Sequence, residues 1–296
     1  MRRHEDALSR CHPAVSFLFF LAAIVLCVLF EHPAYLAVSA VSAALCLISL
    51  RGKNAARTLL ALLPLFLLVA AVNPIFNRHG TNVLFSVFGR PYTWEALCYG
   101  FVTAGMFVTA ILWFTCSSEV VTGDKLTALF GSLLPALSLL LVMVLRLVPS
   151  YGKKAKQITA ARRCIGKSGG DTVKEKTEGG MAVLSAMTSW ALESSVVTAD
   201  SMRSRGYGCG KRSSFRIYRF RMADAVLTAA LLLLTAACIA AAALGFGDAD
   251  FIPQLRIPVL RGGNLLGLAA YAALLLIPLI LNFAEAILWH CSESKI

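Results

Sequence analysis

LLPALSLLLVMVLRLVPSY, residues 133–151, is the stretch on which the reading of this chain turns. It is apolar and long enough to be weighed as a membrane span, since a bilayer core takes roughly 20 apolar residues as helix. It carries Arg146 in its second half and Pro135 and Pro149 near its ends. Directly after it, residues 152–221 are polar and hold 15 Lys and Arg against 5 Asp and Glu. Whether 133–151 crosses decides on which side of a membrane that basic segment lies.

The rest of the chain supplies the frame. Its 296 residues are 58% hydrophobic and 15% charged, with a mean hydropathy of +0.72, where a soluble domain carries about 25% charged residues. This is the composition of a polytopic membrane protein. Apolar runs cover 14–31, 34–50, 58–76, 94–116, 222–245 and 264–289, with His32-Pro33 breaking the first from the second. Residues 77–93 are polar and rich in turn formers. Arg2 and Arg3 precede a run too long for a signal peptide and without an A-x-A exit, so it is expected to be a first membrane helix.

Lys and Arg concentrate on the cytoplasmic side of membrane proteins. With the N-terminus inside, two spans return the basic stretch 51–57, RGKNAAR, to the inside, and two more return 117–132. A crossing at 133–151 would then export the 15 cations of the insert. The prediction is therefore that 133–151 does not cross but packs as an interfacial helix. Six spans result, both termini are cytoplasmic, and Arg78, Arg90, Arg256 and Arg261 are the basic residues outside. The fold class expected is all-α, with about six transmembrane helices and a cytoplasmic or interfacial helical domain. Residues 1–116 form four spans, 117–221 the inserted domain with helices near 133–165 and 181–206, and 222–296 two spans. A linker is expected at 166–180, GKSGGDTVKEKTEGG. Val183, Met187, Trp190 and Ala191 fall at helical spacing. Small residues at 229, 230, 236, 237 and 240–243, all alanine, suit close helix packing.

Several chemistries are disfavoured. The nine cysteines include no C-x-x-C pair and several lie in apolar runs, and the five histidines are scattered, so neither a metal site nor a bound cofactor is expected. Asp248 and Asp250 are the closest acidic pair, and the expected topology puts them outside. The glycine-rich SMRSRGYGCGKRSS, 201–214, is not a phosphate loop. Such a loop is G-x-x-x-x-G-K-[ST] between a strand and a helix, whereas Gly206 to Gly210 is one residue short, Arg212 follows Lys211, and a helical pattern precedes. The glycines are better suited to ending a helix. The basic residues Lys211, Arg212, Arg216, Arg219 and Arg221, with Tyr218, suit anionic lipid; nucleic acid is not the expected partner.

TADSMRSRGYG, 198–208, resembles the second signature of the transmembrane (T) component of energy-coupling factor (ECF) transporters, the EcfT family that includes CbiQ-type proteins. The family phrase is approximately A-D-x-x-x-x-x-x-A-R-G-Y-G. Ala199-Asp200 and Arg205-Gly206-Tyr207-Gly208 match, with a shorter spacing and Ser204 in place of alanine. AARRCIGKS, 160–168, stands where the first signature belongs, and two registers are available. Helix position aligns Cys164-Ile165-Gly166 with Ala-Arg-Gly, so that the arginine is lost; charge makes Arg162 or Arg163 the cation. The first register is preferred because Gly166 then ends its helix as Gly206 does, though Arg162, Arg163 and Lys167 all lie close to that end. VVTGDKLTALFGSLLP, 120–135, is similar to the family's T-x-x-x-L segment, and RLVPSYGKKAKQI, 146–158, to its R-x-x-P approach.

The resemblance implies a membrane scaffold of a prokaryotic ABC importer, not an enzyme. Two coupling helices, ending at Arg162, Arg163, Cys164, Ile165, Gly166 and at Ser204, Arg205, Gly206, would dock on two ATP-binding subunits. A substrate-binding S component for vitamins, cobalt or nickel would complete the importer. The rival expectation is a membrane protein without an ATPase, its basic insert held on anionic lipid.

Overall fold

The computed structural model describes residues 7–76, 83–87, 90–133, 135–167, 172–209, 218, 220–247 and 262–293. The chain divides into two compact units, one made of 1–125 and 218–296, the other of 126–217. The first unit is thus assembled from two separate pieces of chain. These divisions fall at 125/126 and 217/218, where the sequence suggested 116/117 and 221/222.

In the first unit the helices are α1 (Ala7–Arg10), α2 (Pro13–Leu29), α3 (Pro33–Arg51), α4 (Lys53–Phe76), α5 (Trp94–Val120), α9 (Met222–Ala243) and α10 (Gly263–Glu293). α6 (Gly123–Leu133) starts in this unit and continues into the second, which also holds α7 (Pro135–Cys164) and α8 (Val173–Ser204). Helix is the expected state for apolar backbone in a bilayer, because it satisfies each N–H and C=O within its own segment. Between α4 and α5 an antiparallel hairpin interrupts the all-helical pattern, β1 (Val83–Val87) against β2 (Arg90–Thr93), with Val87 opposite Arg90 and an irregularity between Val83 and Phe85.

Two His-Pro pairs start α2 and α3. Proline at the first helical position gives up an N–H that has no helical partner there. The preceding imidazole takes over one of the orphan donors: Ala14 N–H donates to His12 Nδ1 at 3.3 Å and Ala34 N–H to His32 Nδ1 at 3.1 Å. Glycine ends α3, with Gly52 at φ +55°.

The core of this unit is aromatic. Trp113 is fully buried, edge to face with Phe19 at a centroid distance of 5.8 Å and tilted against Phe20 at 6.4 Å, and its indole N–H donates to Ser39 Oγ at 3.0 Å. Phe30 stacks on Tyr35 at 4.5 Å, and Tyr271 packs on both. The closest helix approaches use glycine. A Cβ on Gly100 would lie 2.9 Å from the Ala70 carbonyl oxygen, and one on Gly267 2.7 Å from the Tyr35 hydroxyl and 3.2 Å from Ala241 Cβ. Of the α9 alanines singled out from sequence, Ala241 is buried and Ala242 half-buried, while Ala229, Ala230, Ala236, Ala237, Ala240 and Ala243 face outward. Close packing in this unit therefore rests on α5 and α10 more than on the alanine-rich helix.

Polar contacts tie the ends of the bundle. At one end Asp224 Oδ1 accepts from the His12 N–H at 3.3 Å and Oδ2 from the Arg221 N–H at 3.0 Å. At that end also, Arg51 Nε and Nη2 both donate to Glu119 Oε1, at 3.0 and 2.7 Å, and Nη1 donates to Thr58. Lys125 Nζ closes α5 by donating to the Val120 carbonyl at 2.8 Å, and burial holds its pKa below the usual lysine value. At the other end the His32 N–H donates to the Gly247 carbonyl, the Gly247 N–H to Asn264 Oδ1, and the Tyr35 hydroxyl to the Asn264 carbonyl, each at 3.0 Å.

Among the described residues six helices are long and apolar enough to cross a membrane: 33–51, 54–76, 94–120, 136–164, 222–243 and 263–284. Pro13–Leu29 is apolar but shorter, at 17 residues. These six are not the six of the sequence reading, which counted 14–31 and left out 133–151. The sets differ because the sequence reading excluded 133–151 on the charge of the segment after it, whereas α7, unbroken through Pro149, qualifies by length and composition alone, and α2 falls short in length. A proline inside a helix removes one backbone hydrogen bond without obliging the helix to end.

Gly100→Ala forces a Cβ against the Ala70 backbone and is expected to lower the thermal unfolding temperature of the detergent-solubilised protein. Gly105→Ala meets only the flexible end of Leu36, whose Cδ2 would lie 2.7 Å away, and is expected to cost less; the pair is compared by scanning fluorimetry. Asp224→Ala removes one acceptor from two backbone N–H groups and is expected to cost about 1–3 kcal/mol. Asp224→Asn, which keeps one oxygen, should retain part of that stability in the same assay.

Candidate functional site

The described residues of the second unit present exposed helix faces. In α8 no residue is buried along the whole helix. Its half-covered residues include Val183, Met187, Trp190 and Ala191, the set whose spacing marked one face in the sequence. A matching stripe on α7 includes Tyr151, Ala155, Ile158 and Arg162. The helices meet where the Tyr151 and Trp190 rings stand edge to face at 5.5 Å and the Lys154 ammonium lies 5.3 Å over the Trp190 ring. An ammonium over an indole face gains from the ring quadrupole. The remaining faces of α8 leave Met181, Leu184, Leu192, Val196 and Val197 exposed.

α8 begins at Val173, inside the stretch expected as linker. The Glu175 carboxylate accepts from the Thr172 N–H at 3.4 Å and so closes the first turn. Gly179 and Gly180 lie within the helix, where each costs about 1 kcal/mol relative to alanine. The local cap and the contact with α7 outweigh that cost, and the linker shrinks to the residues between Cys164 and Val173. Residues 168–171 fall outside the described part.

The two predicted coupling ends terminate in the same way. In α7 the Gly166 N–H donates to the Arg163 carbonyl and the Lys167 N–H to the Arg162 carbonyl, both at 3.0 Å. In α8 the Gly206 N–H donates to the Arg203 carbonyl at 3.0 Å and the Tyr207 N–H to the Met202 carbonyl at 3.1 Å. Gly166 sits at φ +74° and Gly206 at φ +79°, in the left-handed region that glycine enters at least cost. This double bond with a glycine turn is the Schellman termination. It pairs Cys164 with Ser204, Ile165 with Arg205 and Gly166 with Gly206, the register in which the first motif has lost its arginine. It also pairs Arg163 with Arg203, and Arg162 with Met202. Exposure follows the same order, with Arg162 and Met202 half-covered and the residues from Arg163 to Lys167 and from Arg203 to Gly208 open.

The hydrogen-bond pattern alone does not mark a function. α9 ends identically, with the Gly245 N–H on the Ala242 carbonyl and the Phe246 N–H on the Ala241 carbonyl, both at 2.9 Å. What distinguishes the ends of α7 and α8 is charge combined with exposure. Among the described residues Arg162, Arg163, Arg203 and Arg205 form no ion pair; Arg51–Glu119, in the other unit, does. Cations at a helix C-terminus are favoured by the exposed carbonyls, by about 0.3–1 kcal/mol at the surface. Ser204 Oγ is turned back onto the Asp200 carbonyl at 2.6 Å, so the serine serves its own helix. Arg203 was not among the residues singled out from sequence; its equivalence to Arg163 emerges only once the helix ends are aligned by hydrogen bonds.

The segment that suggested a phosphate loop is preceded by helix, and its described part, Ser201–Cys209, is helix end and turn. Of the basic residues assigned to lipid, Arg221 precedes α9 and is exposed, whereas 211, 212, 216 and 219 lie outside the described residues, as do 248 and 250. No group of three or more His, Cys, Asp or Glu side chains converges among the described residues.

A family model described as cobalt transport protein, CbiQ, matches residues 5–217. The chain belongs to the CbiQ family. The matched region runs from the N-terminal helices to just beyond the α8 end, and therefore contains both basic terminations. As a CbiQ-family protein the chain is a multi-pass membrane component of a transport system and not itself a catalytic subunit. No curated protein sequence matches it.

Gly206→Ala and Gly166→Ala place a Cβ in the left-handed region, a strain of about 1–2 kcal/mol each. The added Cβ would meet nothing within 4 Å beyond its chain neighbours at either position, so the effect should be confined to the helix end. Amide exchange is expected to accelerate at residues 205–207 for Gly206→Ala and at 165–167 for Gly166→Ala, with the first unit unchanged.

Proposed function

We propose that this protein is the coupling subunit of an ATP-driven micronutrient importer in a prokaryotic plasma membrane. The ends of α7 and α8 dock on a pair of ATP-binding subunits. Movement of those subunits passes through the two helices to a membrane-embedded substrate-binding S component. The cargo is a cobalt or nickel ion or a vitamin, cobalt being the cargo in the family's description. The carrying observation is that two helix ends in one CbiQ-family chain share one termination, one exposure pattern and, at the equivalent positions 163 and 203, an arginine that forms no ion pair among the described residues.

The topology proposed keeps both termini and the insert cytoplasmic. Lys125 and Phe220, where the chain leaves and rejoins the first unit, support this. Lys125 caps α5, and the Phe220 ring packs 5.3 Å from His12 at the start of α2. Both belong to the end of the bundle that carries Arg51 and Arg221. The apolar half of α7 is assigned to the membrane interface, because a crossing there would export the basic insert. Arg205 suits a groove carboxylate, which a guanidinium engages through a forked pair of hydrogen bonds.

The test is co-purification of the solubilised chain with co-expressed ECF-type ATP-binding subunits. Arg205→Glu is expected to reduce retained ATPase about thirtyfold, the equivalent of about 2 kcal/mol for a charge pair broken at an interface, while leaving the melting temperature unchanged. Arg162→Glu with Arg163→Glu is expected to weaken the complex as well. Wild-type protein that is folded yet retains no ATPase would sink the reading and leave the insert as a lipid-binding element.

A further inference from the structure

Polar rungs join α3 to α5 inside the membrane unit. Arg51 bonds Glu119 at 2.7 Å near one end. Deeper in the bundle Ser39 Oγ accepts from the Trp113 indole N–H at 3.0 Å. Between these rungs stand two thiols. Cys116 Sγ donates to the Ala43 carbonyl at 3.8 Å, and the Cys46 thiol lies within hydrogen-bonding reach of the Cys116 thiol. A helical carbonyl points along the axis toward the residue four positions on. A sulfur seated on the Ala43 carbonyl therefore lies beside Cys46. Leu112, Cys116 and Val120 form one buried face of α5, and Ala43, Cys46 and Leu47 one of α3.

The other described cysteines are placed differently. Cys27 is as deeply buried, but its side-chain partner is Ser39, and Cys164 and Cys209 are exposed. Cys46 and Cys116 face each other across two helices whose register is fixed by a rung on either side. Groups held together in this way react as if highly concentrated. Joining the two sulfurs removes two hydrogens and adds no atom, a change that a close-packed interior tolerates. A bound ion would need added volume and further ligands, and no group of three His, Cys, Asp or Glu converges among the described residues.

The pair is not far from water. At about 1.5 Å of rise per residue, it lies roughly one to one and a half turns inside the level of Arg51 and Glu119, whose side chains are 31% and 33% exposed. Cys46 retains 4% exposure and Cys116 none, so a small neutral oxidant meets Cys46 first.

We propose that Cys46 and Cys116 form an oxidisable dithiol, a modification site at which a hydroperoxide converts the pair to a disulfide that fastens α3 to α5. The Cys46 sulfur takes one peroxide oxygen as the O–O bond breaks, leaving a sulfenic acid and one water. The Cys116 sulfur then attacks the sulfenic sulfur. The S–S bond forms, the S–O bond breaks, and the hydroxyl leaves with the Cys116 proton as a second water. Two thiols and one hydrogen peroxide thus give one disulfide and two waters. Burial slows the first step and shields the sulfenic acid from competing thiols, so the neighbouring cysteine resolves it. Disulfides of proteins in reducing compartments are mostly of this transient, redox-sensing kind. The proposal is independent of the coupling reading.

The test treats full-length protein in its native membranes with hydrogen peroxide, raised until Cys164 and Cys209 are oxidised. The protein is then denatured, its remaining thiols are alkylated, and its peptides are analysed by mass spectrometry. The expected result is a peptide linking Cys46 to Cys116 and an alkylated Cys27, with the link lost on dithiothreitol treatment. A crosslink that closes a long loop restricts the unfolded chain. The oxidised protein, once solubilised, is therefore expected to unfold about 5 °C higher than the reduced protein, and this rise should vanish in Cys46→Ser and in Cys116→Ser. Recovery of Cys46 and Cys116 as free thiols at that peroxide dose overturns the proposal. So does their recovery as sulfinic acids, or in disulfides with other cysteines, because either outcome means that the two sulfurs do not resolve one another.

Discussion

Asp224 closes the membrane unit across a gap of 212 residues in sequence. Its carboxylate takes the N–H of His12, from the first piece of the unit, and that of Arg221, from the second. In a bilayer, apolar side chains gain little from one another over lipid, so helices are held by close packing and by the polar contacts they can find. Here such contacts stand at the two ends of the bundle, with the Trp113–Ser39 hydrogen bond in the core between them. Asp224 and the Arg51–Glu119–Thr58 cluster hold one end, and His32, Gly247, Asn264 and Tyr35 hold the other. Between them Trp113, Gly100 and Gly267 supply fit. This division lets the chain leave the bundle at Lys125, build a separate unit, and return at Tyr218 without breaking the packing.

The separate unit follows different rules. Among its described residues it has no aromatic core of the kind that surrounds Trp113, and α8 buries nothing. Its helices are held by local devices. Glu175 closes the first turn of α8, Ser204 bonds back to Asp200, the glycine turns satisfy the last carbonyls, and one aromatic-cationic contact joins Tyr151 and Lys154 to Trp190. A helix stabilised this way keeps its surface available. Met181, Leu184, Leu192, Val196 and Val197 remain exposed among the described residues.

How much of this was legible in sequence depended on whether the deciding interaction was local. Five of the spans, near 34–50, 58–76, 94–116, 222–245 and 264–289, were legible because hydropathy over about 20 residues is the property the bilayer selects, and the Gly166 and Gly206 terminations because a left-handed turn demands glycine. The extent of α7 was legible, near 133–165, but its continuity through Pro149 and Gly152, which imitate a boundary, was not. Nor was the start of α8, where Gly179 and Gly180 imitate a linker that Thr172 and Glu175 override. The strands at 83–87 and 90–93 were missed because 77–93 was read as polar and rich in turn formers, although Val83, Phe85, Val87 and Tyr92 are strand formers. Arg203 escaped notice because sequence motifs align letters, whereas its equivalence to Arg163 is a statement about which carbonyl each glycine N–H receives.

The glycine turn also explains why a single side chain can carry so much of the proposed recognition. The residue before it has both its backbone torsions and its N–H committed; the Arg205 N–H is bound to the Ser201 and Met202 carbonyls. Only side-chain torsions remain free there. Docking such a group costs side-chain ordering and little else, and preorganisation of this kind raises affinity without adding contacts. The same rigidity removes tolerance. With the backbone fixed, exchanging the arginine changes what the end can meet without changing where it stands. A flexible terminus would blur that difference by rearranging. A Schellman turn preserves it, so the end keeps one shape whatever side chain it presents.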